Sequence, residues 1–325
     1  MIAKKIGVAM VFMLAVVVFF GCAAPKKAAE PEKAAEPEKI AEPEKPRPSA
    51  IVVEGFDSPE SVAANPDGTR FFVSNLGVEL KPFDRDGDGY ISELTPEGAI
   101  VNKRFLPDKG EKLNAPKGIT VLGSVIYVTD IDRLVGFDIN TRKKVMELSF
   151  SKENVKFLND PVAISDDKLL VSATDSGVIY EVNLKGKPSY KVLLKDVVGA
   201  NGLYYDTHSG LIFVASFGDG KVANGALGLI KMNGGTVSYK ALTQDIGLLD
   251  GVGIIPGEGV VFSDWVDFGK PGKLYTYMPS TGIVGEMTLA VDVKGPADFL
   301  YDHKNNRLWL PAMAEGKLII QTVPQ

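Results

Sequence analysis

Short apolar stretches alternate with polar turns along most of the chain, and this pattern predicts paired β-strands. A clear example is Ala200–Phe217, which reads ANGLYYDTHSGLIFVASF. In it, Asn201 precedes an apolar strand at 203–205, a turn follows at 206–210, and a second strand follows at 211–215. Alternating β-branched and aromatic residues are typical of strands, and Asp, Ser and Gly are typical of turns. After residue 50 the pattern predicts no helix longer than a turn or two.

This sequence of polar residue, strand, turn and strand recurs six times. The copies begin at Glu60, Asn114, Asn159, Asn201, Asp250 and Asp298. The starts are about 40–55 residues apart, and such a period with four short strands per unit is typical of propeller blades. We therefore predict an all-β, six-bladed β-propeller over residues 51–325. The last copy is short of one strand, so Ile51–Phe56 is expected to close the last blade.

The N-terminal region differs from the rest of the chain. Lys4 and Lys5 precede an apolar run over 8–20, and this predicts a signal peptide over residues 1–21. Cys22 follows the run directly, and the arrangement resembles a bacterial lipobox, in which the cysteine is acylated. An ordinary signal peptide or an uncleaved anchor is the alternative. Three AEPEK repeats within residues 22–50 predict an extended, disordered tether, because they contain too little apolar surface to fold.

These features predict a protein of the bacterial cell envelope, facing the periplasm or the surface. The lipid on Cys22 would be its only contact with the membrane. Ala23 follows the cysteine where Asp is associated with retention in the inner membrane, so the outer membrane is favoured.

Composition excludes several functions. The net charge is −5 and no basic stripe interleaved with aromatic residues occurs, so nucleic acid is not an expected partner. One cysteine rules out an intrachain disulfide, and two histidines argue against a His-based mechanism or a His-rich metal site. We expect a monomer that binds a small molecule.

The polar residues at the starts of the copies are the candidate site. In a propeller, residues just before the innermost strands lie at one mouth of the central channel. Carboxylate and amide oxygens collected there would form an all-oxygen cage, which suits Ca²⁺ best and also Mg²⁺ or Mn²⁺. The alternative is that these side chains cap strand ends. Asn114, Asp160 and Asp298 are expected to line the same mouth.

Four stretches make a resemblance specific: they are Pro59-Glu60, Asn159-Asp160, Asn201-Gly202-Leu203 and Asp250-Gly251-Val252. Through them the chain resembles the gluconolactonase and regucalcin-like family of six-bladed propellers. The resemblance implies that Glu60, Asn159, Asn201 and Asp250 bind one divalent cation. It also implies that Asp250 is the general base of a lactone hydrolysis.

The chain departs from that family at Phe157, where the lactonases have an arginine that contacts substrate hydroxyls. Two functions therefore stay open. The first is a metal-dependent hydrolase of a small lactone or ester. The second is a noncatalytic, calcium-stabilised propeller that binds a small molecule, a glycan or a protein at the axial mouth.

A second calcium site is predicted at FDRDGDGYISEL, residues 83–94. Alternating acidic residues followed by glycine resemble the start of a calcium loop. The expected ligands are Asp84, Asp86, Asp88, the carbonyl of Tyr90 and, with altered geometry, Glu93. A solvated hairpin turn is the alternative, because Asp-Gly is also a common hairpin signal.

The two tryptophans, Trp265 and Trp309, are expected to pack between blades rather than to contact a ligand. Acidic residues that recur at one strand position, such as Asp130 and Asp264, are expected to make turn hydrogen bonds.

Overall fold

A computed structural model describes residues 47–324. The predicted signal peptide, Cys22 and nearly all of the predicted tether lie outside the described residues. No helix in the described part of the chain is long and apolar enough to cross a membrane. Its only helices are two single 3₁₀ turns, Ser151–Glu153 and Met313–Glu315.

The described residues form 24 strands. In chain order they are β1 (Ala50–Glu54), β2 (Pro59–Ala64), β3 (Phe71–Asn75), β4 (Tyr90–Leu94), β5 (Ile100–Leu106), β6 (Pro116–Leu122), β7 (Val125–Asp130), β8 (Arg133–Asp138), β9 (Lys144–Ser149), β10 (Leu158–Ser165), β11 (Lys168–Ala173), β12 (Val178–Asn183), β13 (Ser189–Leu194), β14 (Ala200–Asp206), β15 (Leu211–Ser216), β16 (Leu227–Asn233), β17 (Thr236–Ala241), β18 (Leu249–Ile255), β19 (Gly259–Asp264), β20 (Lys273–Met278), β21 (Ile283–Met287), β22 (Leu300–Asp302), β23 (Arg307–Ala312) and β24 (Lys317–Thr322).

The strands form six antiparallel sheets of four, which confirms the predicted six-bladed propeller. Blades one to five are formed by consecutive strands from β2 to β21, and blade six has the order β22-β23-β24-β1. Strand β1 pairs with β24 from Ala50↔Gln321 to Glu54↔Lys317. The N-terminal strand therefore closes the last blade, as the sequence predicted, and it begins one residue earlier than expected.

Burial explains why the strands differ in sequence. The second strand of each blade packs on both faces, so β3 reads FFVSN and is buried throughout. The outermost strands have a solvated face, so β13 reads SYKVLL with no fully buried residue. Between blades six and one, Trp309 stacks on Phe71 with ring centroids 4.1 Å apart. The predicted interblade position of Trp309 is thus confirmed.

The innermost strands share one irregularity. In blades one to five the pairing with the second strand skips two residues near the start of the inner strand. In blade three, for example, Leu158 pairs with Ala173 and the next pair is Pro161 with Val171. The bulge frees two residues per blade from the regular alternation of a strand. These two residues face the axis and the neighbouring blade.

Hydroxyl groups in the second strands connect neighbouring blades at this bulge. The Ser172 hydroxyl accepts the backbone N–H of Asp160 at 2.9 Å and donates to the carbonyl of Asn201 in the next blade at 2.6 Å. The Ser263 hydroxyl donates in the same way to the carbonyl of Ala297 at 3.0 Å. Each bond satisfies a buried carbonyl and fixes one blade against the next.

In blades two, four and five the second residue of the bulge is a glycine, and there the neighbouring blades approach closely. A Cβ atom on Gly202 would lie 2.2 Å from the carbonyl oxygen of Asp250. On Gly251 it would lie 2.7 Å from the Cα atom of Asp298, and Gly118 is similarly confined by Asn159. The Asn-Gly and Asp-Gly pairs of the repeat therefore reflect backbone contact between blades rather than hairpin turns.

We predict that Gly202→Ala destabilises the fold by about 1–3 kcal/mol, because the methyl group forces two inner strands apart. Thermal or urea unfolding measures the change. The matched control is Gly269→Ala, since a Cβ there meets nothing closer than 3.5 Å. Equal stability of the two variants would contradict the close-approach argument.

Candidate metal centre at the axial mouth

One residue of each bulge occupies an equivalent position around the axis, and we call this set the axial ring. By strand register its members are Glu60, Lys117, Asn159, Asn201, Asp250 and Ala297. Blade six follows the same register, since Pro296 pairs with Ala312 and Leu300 with Trp309. Four of the six are the predicted metal ligands, and residues up to 190 positions apart (Glu60 to Asp250) thus converge.

The four predicted ligands share a second property. Each is at most 5% exposed, and each has one buried oxygen without a hydrogen-bond partner. These oxygens are Glu60 Oε2, Asn159 Oδ1, Asn201 Oδ1 and Asp250 Oδ1. In the described part of the chain, the only other buried side-chain polar atom lacking a partner is Nε1 of Trp309. An unpaired buried oxygen is costly, so four of them on residues that line one cavity fit a cation or a hydrogen-bond donor.

In two of the predicted metal ligands, Asp250 and Asn201, the second polar atom of the side chain makes a hydrogen bond within the protein. Trp265 donates its indole N–H to Oδ2 of Asp250 at 2.8 Å, which leaves Oδ1 free. The side-chain amide of Asn201 donates to the carbonyl of Leu249 at 3.3 Å, which leaves its oxygen free. Trp265 therefore orients a ligand, in addition to packing against Leu76 and Met313. The predicted packing of Trp265 is confirmed, and its hydrogen bond to Asp250 is an additional contact that the sequence analysis did not anticipate.

Lys117 places a cation in the axial ring, which the sequence analysis did not anticipate. Its side chain is 1% exposed, and its ammonium donates to the carbonyls of Pro82 at 2.9 Å and Ala115 at 3.1 Å. The ammonium also lies 4.4 Å from the ring centre of Phe157, within cation–π range. Burial lowers the pKa of Lys117 to about 8, and the Glu60 carboxylate partly offsets that shift.

Burial also dominates the electrostatics of the carboxylates. It raises the pKa of Glu60 well above its ordinary value, and the nearby charge of Asp250 raises it further. Burial raises the pKa of Asp250 to about 7, although the hydrogen bond from Trp265 lowers it. Without a cation, the site therefore favours protonated carboxyl groups near neutral pH.

A cavity of about 170 Å³ opens beside the four oxygens. Besides axial-ring residues and Thr174, its lining is apolar, and we call it the mouth pocket. The apolar members are Leu76, Leu80, Pro82, Phe157, Phe217, Trp265, Phe268 and Met313. The four residues thus line an open space, while their unpaired oxygens are themselves shielded from solvent. A ligand in this space could reach a cation held by them.

The remaining predicted mouth residues lie elsewhere. The backbone N–H of Asn114 donates to the Asp130 carboxylate at 3.1 Å, and its side-chain amide donates there at 3.2 Å. Lys117 is the blade-two member of the ring, three residues further along. The acidic turn residues behave as predicted, since Asp264 likewise accepts the N–H of Leu248 at 2.7 Å.

Asp160 and Asp298 follow the axial ring by one residue and line a separate cavity, formed by the later residues of the inner strands. Asp160 accepts the N–H of Leu203 at 2.6 Å, and Asp298 accepts the hydroxyl of Ser61 at 2.5 Å. Burial raises the pKa of Asp298 to about 7. Neither residue lines the mouth pocket.

The predicted calcium loop has a different structure. The Asp88 side chain accepts the N–H of Val78 at 3.0 Å, and Asp86 accepts the N–H of Asp88 at 3.2 Å. Asp84 lies 3.7 Å from the ammonium of Lys81.

The last two expected ligands of that loop belong to strand β4. The Glu93 carboxylate pairs with Arg70 at 2.6 Å, and the phenol of Tyr90 donates to Asp57 at 2.7 Å. Within residues 47–324, no three or more Asp, Glu, His or Cys side chains are grouped to hold a metal. The structure therefore does not bring these five residues together.

The axial set has only two such side chains, Glu60 and Asp250, so cation binding there also requires the amide oxygens of Asn159 and Asn201. Two carboxylates and two amides are hard oxygen donors of the kind Ca²⁺ and Mg²⁺ prefer. The chemistry of the donor set and its four unpaired oxygens fit a divalent cation. The Lys117 charge opposes one, because like charges repel.

No family model matches this chain, and no curated protein matches it. Solved structures resemble its fold. A streptogramin B lyase has a TM-score of 0.53 and 14% identity, with 85% of this chain and 98% of that chain covered. An inactive virginiamycin B lyase variant from Staphylococcus aureus, with quinupristin, has the same score and identity over 85% and 100% of the chains.

An auxiliary nutrient binding protein from Bacteroides thetaiotaomicron has a TM-score of 0.58 and 8% identity, over 82% of this chain and 69% of that one. At such identities the likenesses define the fold alone. The chain is a six-bladed β-propeller, and these structures resemble it in fold. The resemblance to gluconolactonases stays a hypothesis.

We predict that Trp265→Phe weakens Ca²⁺ binding about tenfold or more, because Asp250 loses the donor that orients its carboxylate. Isothermal titration calorimetry on the metal-stripped protein measures the affinity. Trp309→Phe is the matched control, since Trp309 stacks between blades away from the ring. Equal affinity in both variants would remove Trp265 from the site.

Proposed function

We propose that the chain binds one divalent cation, with Ca²⁺ as first choice, through Glu60, Asn159, Asn201 and Asp250, and hydrolyses a small lactone or ester at the axial mouth. The observation that supports this is the coincidence of four unpaired buried oxygens with an open pocket. A purely structural ion would be expected beneath packed side chains instead.

A bound cation would supply Lewis-acid stabilisation of the oxygen that becomes negative during acyl transfer. The protein's own residues would do the rest. The apolar walls exclude water around a bound ester, and Asp250 is the candidate base toward an attacking water. The indole of Trp265 fixes one carboxylate oxygen and turns the other toward the pocket. Burial raises the pKa of Asp250 to about 7 in the metal-free fold, and a bound cation would lower it and keep the carboxylate ionised.

The second candidate is a propeller that binds a ligand at the same mouth without turnover. Phe157 favours this function, since it lines the pocket where the resembling lactonases have an arginine. The two functions require the same cation and the same pocket. They differ only in whether bound ester is cleaved.

We also propose that the protein is a monomeric lipoprotein of the bacterial envelope, acylated at Cys22. The described chain starts beside blade six, where Arg47 pairs with Asp292 at 3.0 Å. The outer strand β1 thus connects the propeller to the preceding residues. The axial mouth, in contrast, lies at the inner strands.

Turnover with and without metal tests the hydrolase. Full-length protein in detergent, stripped of metal, should cleave some member of a panel of aryl esters and lactones after addition of Ca²⁺, Mg²⁺ or Mn²⁺. Asp250→Asn should lower kcat/KM at least about 100-fold. Glu54→Gln, which alters a carboxylate 73% exposed on β1, should leave it unchanged.

If no metal supports turnover but Ca²⁺ protects the protein against heat, the binding function would be favoured over the hydrolase. Absence of both effects would contradict the proposed cation site.

The pH dependence of stability provides an independent prediction. Asp250 has a pKa of about 7 in the metal-free fold, against roughly 4 in the unfolded chain. A raised carboxyl pKa gives stability that is complete below about pH 4 and lost as the pH rises through 7. The metal-free Tm should therefore fall between pH 5 and pH 8.

Bound Ca²⁺ favours the ionised carboxylates, so it should raise Tm more at pH 8 than at pH 5, by roughly 5 °C or more. Differential scanning calorimetry in EDTA and in Ca²⁺ measures both curves. The same calcium effect at both pH values would show that these carboxylates do not bind the ion.

A further inference from the structure

We propose that the mouth pocket selects an apolar, ring-sized group and rejects polyhydroxylated ligands such as sugar lactones. This inference rests on the proposed ligand site at the axial mouth and names the chemical class that the site accepts. Phe157, Phe217 and Phe268 are its specificity-determining residues.

The walls of the pocket support this class first. Phe217, Trp265 and Phe268 form one aromatic group, with the Trp265 and Phe268 ring centres 5.3 Å apart and those of Phe217 and Trp265 6.3 Å apart. Phe157 lies on the wall next to Lys117. Aromatic edges and faces at such distances are suited to another flat apolar group.

The polar side chains in the walls are already engaged. The Thr174 hydroxyl donates to the carbonyl of Ala200 at 2.9 Å, and the Trp265 N–H donates to Asp250. The Lys117 ammonium donates to two carbonyls and faces the Phe157 ring. Of the donors in these three residues, only the third N–H of the Lys117 ammonium lies outside these hydrogen bonds, and the Phe157 ring is beside it. A sugar against these walls would lose hydrogen bonds to water with few protein donors to replace them, and that loss disfavours binding.

The volume sets the size of the group. A dry apolar cavity of about 150 Å³ holds benzene in another protein. The mouth pocket has about 170 Å³, which accommodates one ring. A groove of about 430 Å³ continues outward and shares Phe157, Thr174 and Phe217 with the pocket. The remainder of a longer ligand could lie there.

The insertion between β3 and β4, residues 76–89, builds part of this wall and we call it the roof segment. Its Leu76, Leu80 and Pro82 line the pocket. Lys117 holds it through the Pro82 carbonyl, and Phe83 packs edge-on against Phe157 with centroids 5.2 Å apart. An ion pair between Arg85 and Asp132, 2.8 Å long, adds a third attachment. The insertion thus has a structural role of its own: it encloses the pocket.

Binding of two uncharged probes to full-length protein in Ca²⁺ tests the proposal. Benzyl alcohol carries one aromatic ring, and methyl glucoside carries several hydroxyls. Ligand-observed NMR should show benzyl alcohol bound and competed by phenyl acetate, with methyl glucoside binding at least tenfold more weakly. Phe268→Ser should weaken benzyl alcohol binding about tenfold. Val101→Ser is a matched control, since Val101 and Phe268 are both 60% exposed and Val101 lies on β5.

Three outcomes would each overturn the proposal. The first is that methyl glucoside binds as tightly as benzyl alcohol, the second is that benzyl alcohol does not bind, and the third is that the two serine variants have equal effects. These outcomes are separate from the hydrolase test. Benzyl alcohol binding without turnover of any ester would remove the hydrolase and keep the apolar specificity. Turnover of gluconolactone in preference to phenyl acetate would keep the hydrolase and remove the specificity.

Discussion

The inner strands of neighbouring blades approach one another very closely. At Gly118, Gly202 and Gly251 the backbone of one blade contacts backbone and side-chain atoms of the next. Gly202 would place a Cβ atom 2.2 Å from the Asp250 carbonyl, so any larger residue must displace a blade. The interblade hydroxyls of Ser172 and Ser263 bond carbonyls of the same inner strands. Closing the ring and positioning the axial side chains are therefore one structural event. A ligand side chain on the axis is held by its neighbour's backbone as well as by its own strand.

Bringing several carboxylates together near the axis has an electrostatic cost. Glu60 and Asp250 meet in a buried space, and Asp160 and Asp298 lie one residue further along the inner strands. Burial raises the pKa of each of the four, and repulsion from neighbouring carboxylates raises it further for Glu60, Asp160 and Asp250. The fold can compensate with protons, with the Lys117 ammonium or with a bound cation. Lys117 is committed to two carbonyls and a ring, so it offers charge without filling the coordination needs of the four free oxygens.

The fold could be predicted from sequence because each blade repeats the same pattern of burial. The four axial oxygens could be predicted because the bulge occurs at the same point of each inner strand. The prediction of the axial residue was wrong in the two blades where the repeat is imperfect. In blade two the polar residue before the strand, Asn114, serves a turn with Asp130, and Lys117 takes the axial position. In blade six Ala297, an apolar residue, takes it.

Trp265 and the roof segment show a different limit. The indole of Trp265 reaches Asp250 because β18 and β19 are neighbours, and no local spacing signals that contact. The acidic run over 84–88 is locally consistent with a calcium loop. The conformation of the roof segment also depends on partners in other blades, since Lys117 and Phe157 hold it in place. Such contacts depend on ring closure, which a linear pattern does not encode.

The apolar walls of the mouth pocket and its polar floor, which is formed by the axial-ring residues, also reinforce each other. Walls of low polarity exclude water and strengthen every charge interaction at the floor. Lys117 connects the two parts, because one ammonium fixes the roof segment at Pro82, faces Phe157 in the wall and adds positive charge beside Glu60. Its presence weakens the attraction of a cation but lessens the repulsion between the carboxylates when none is bound. The ring is thus built so that its charge balance and the shape of its pocket depend on the same side chain.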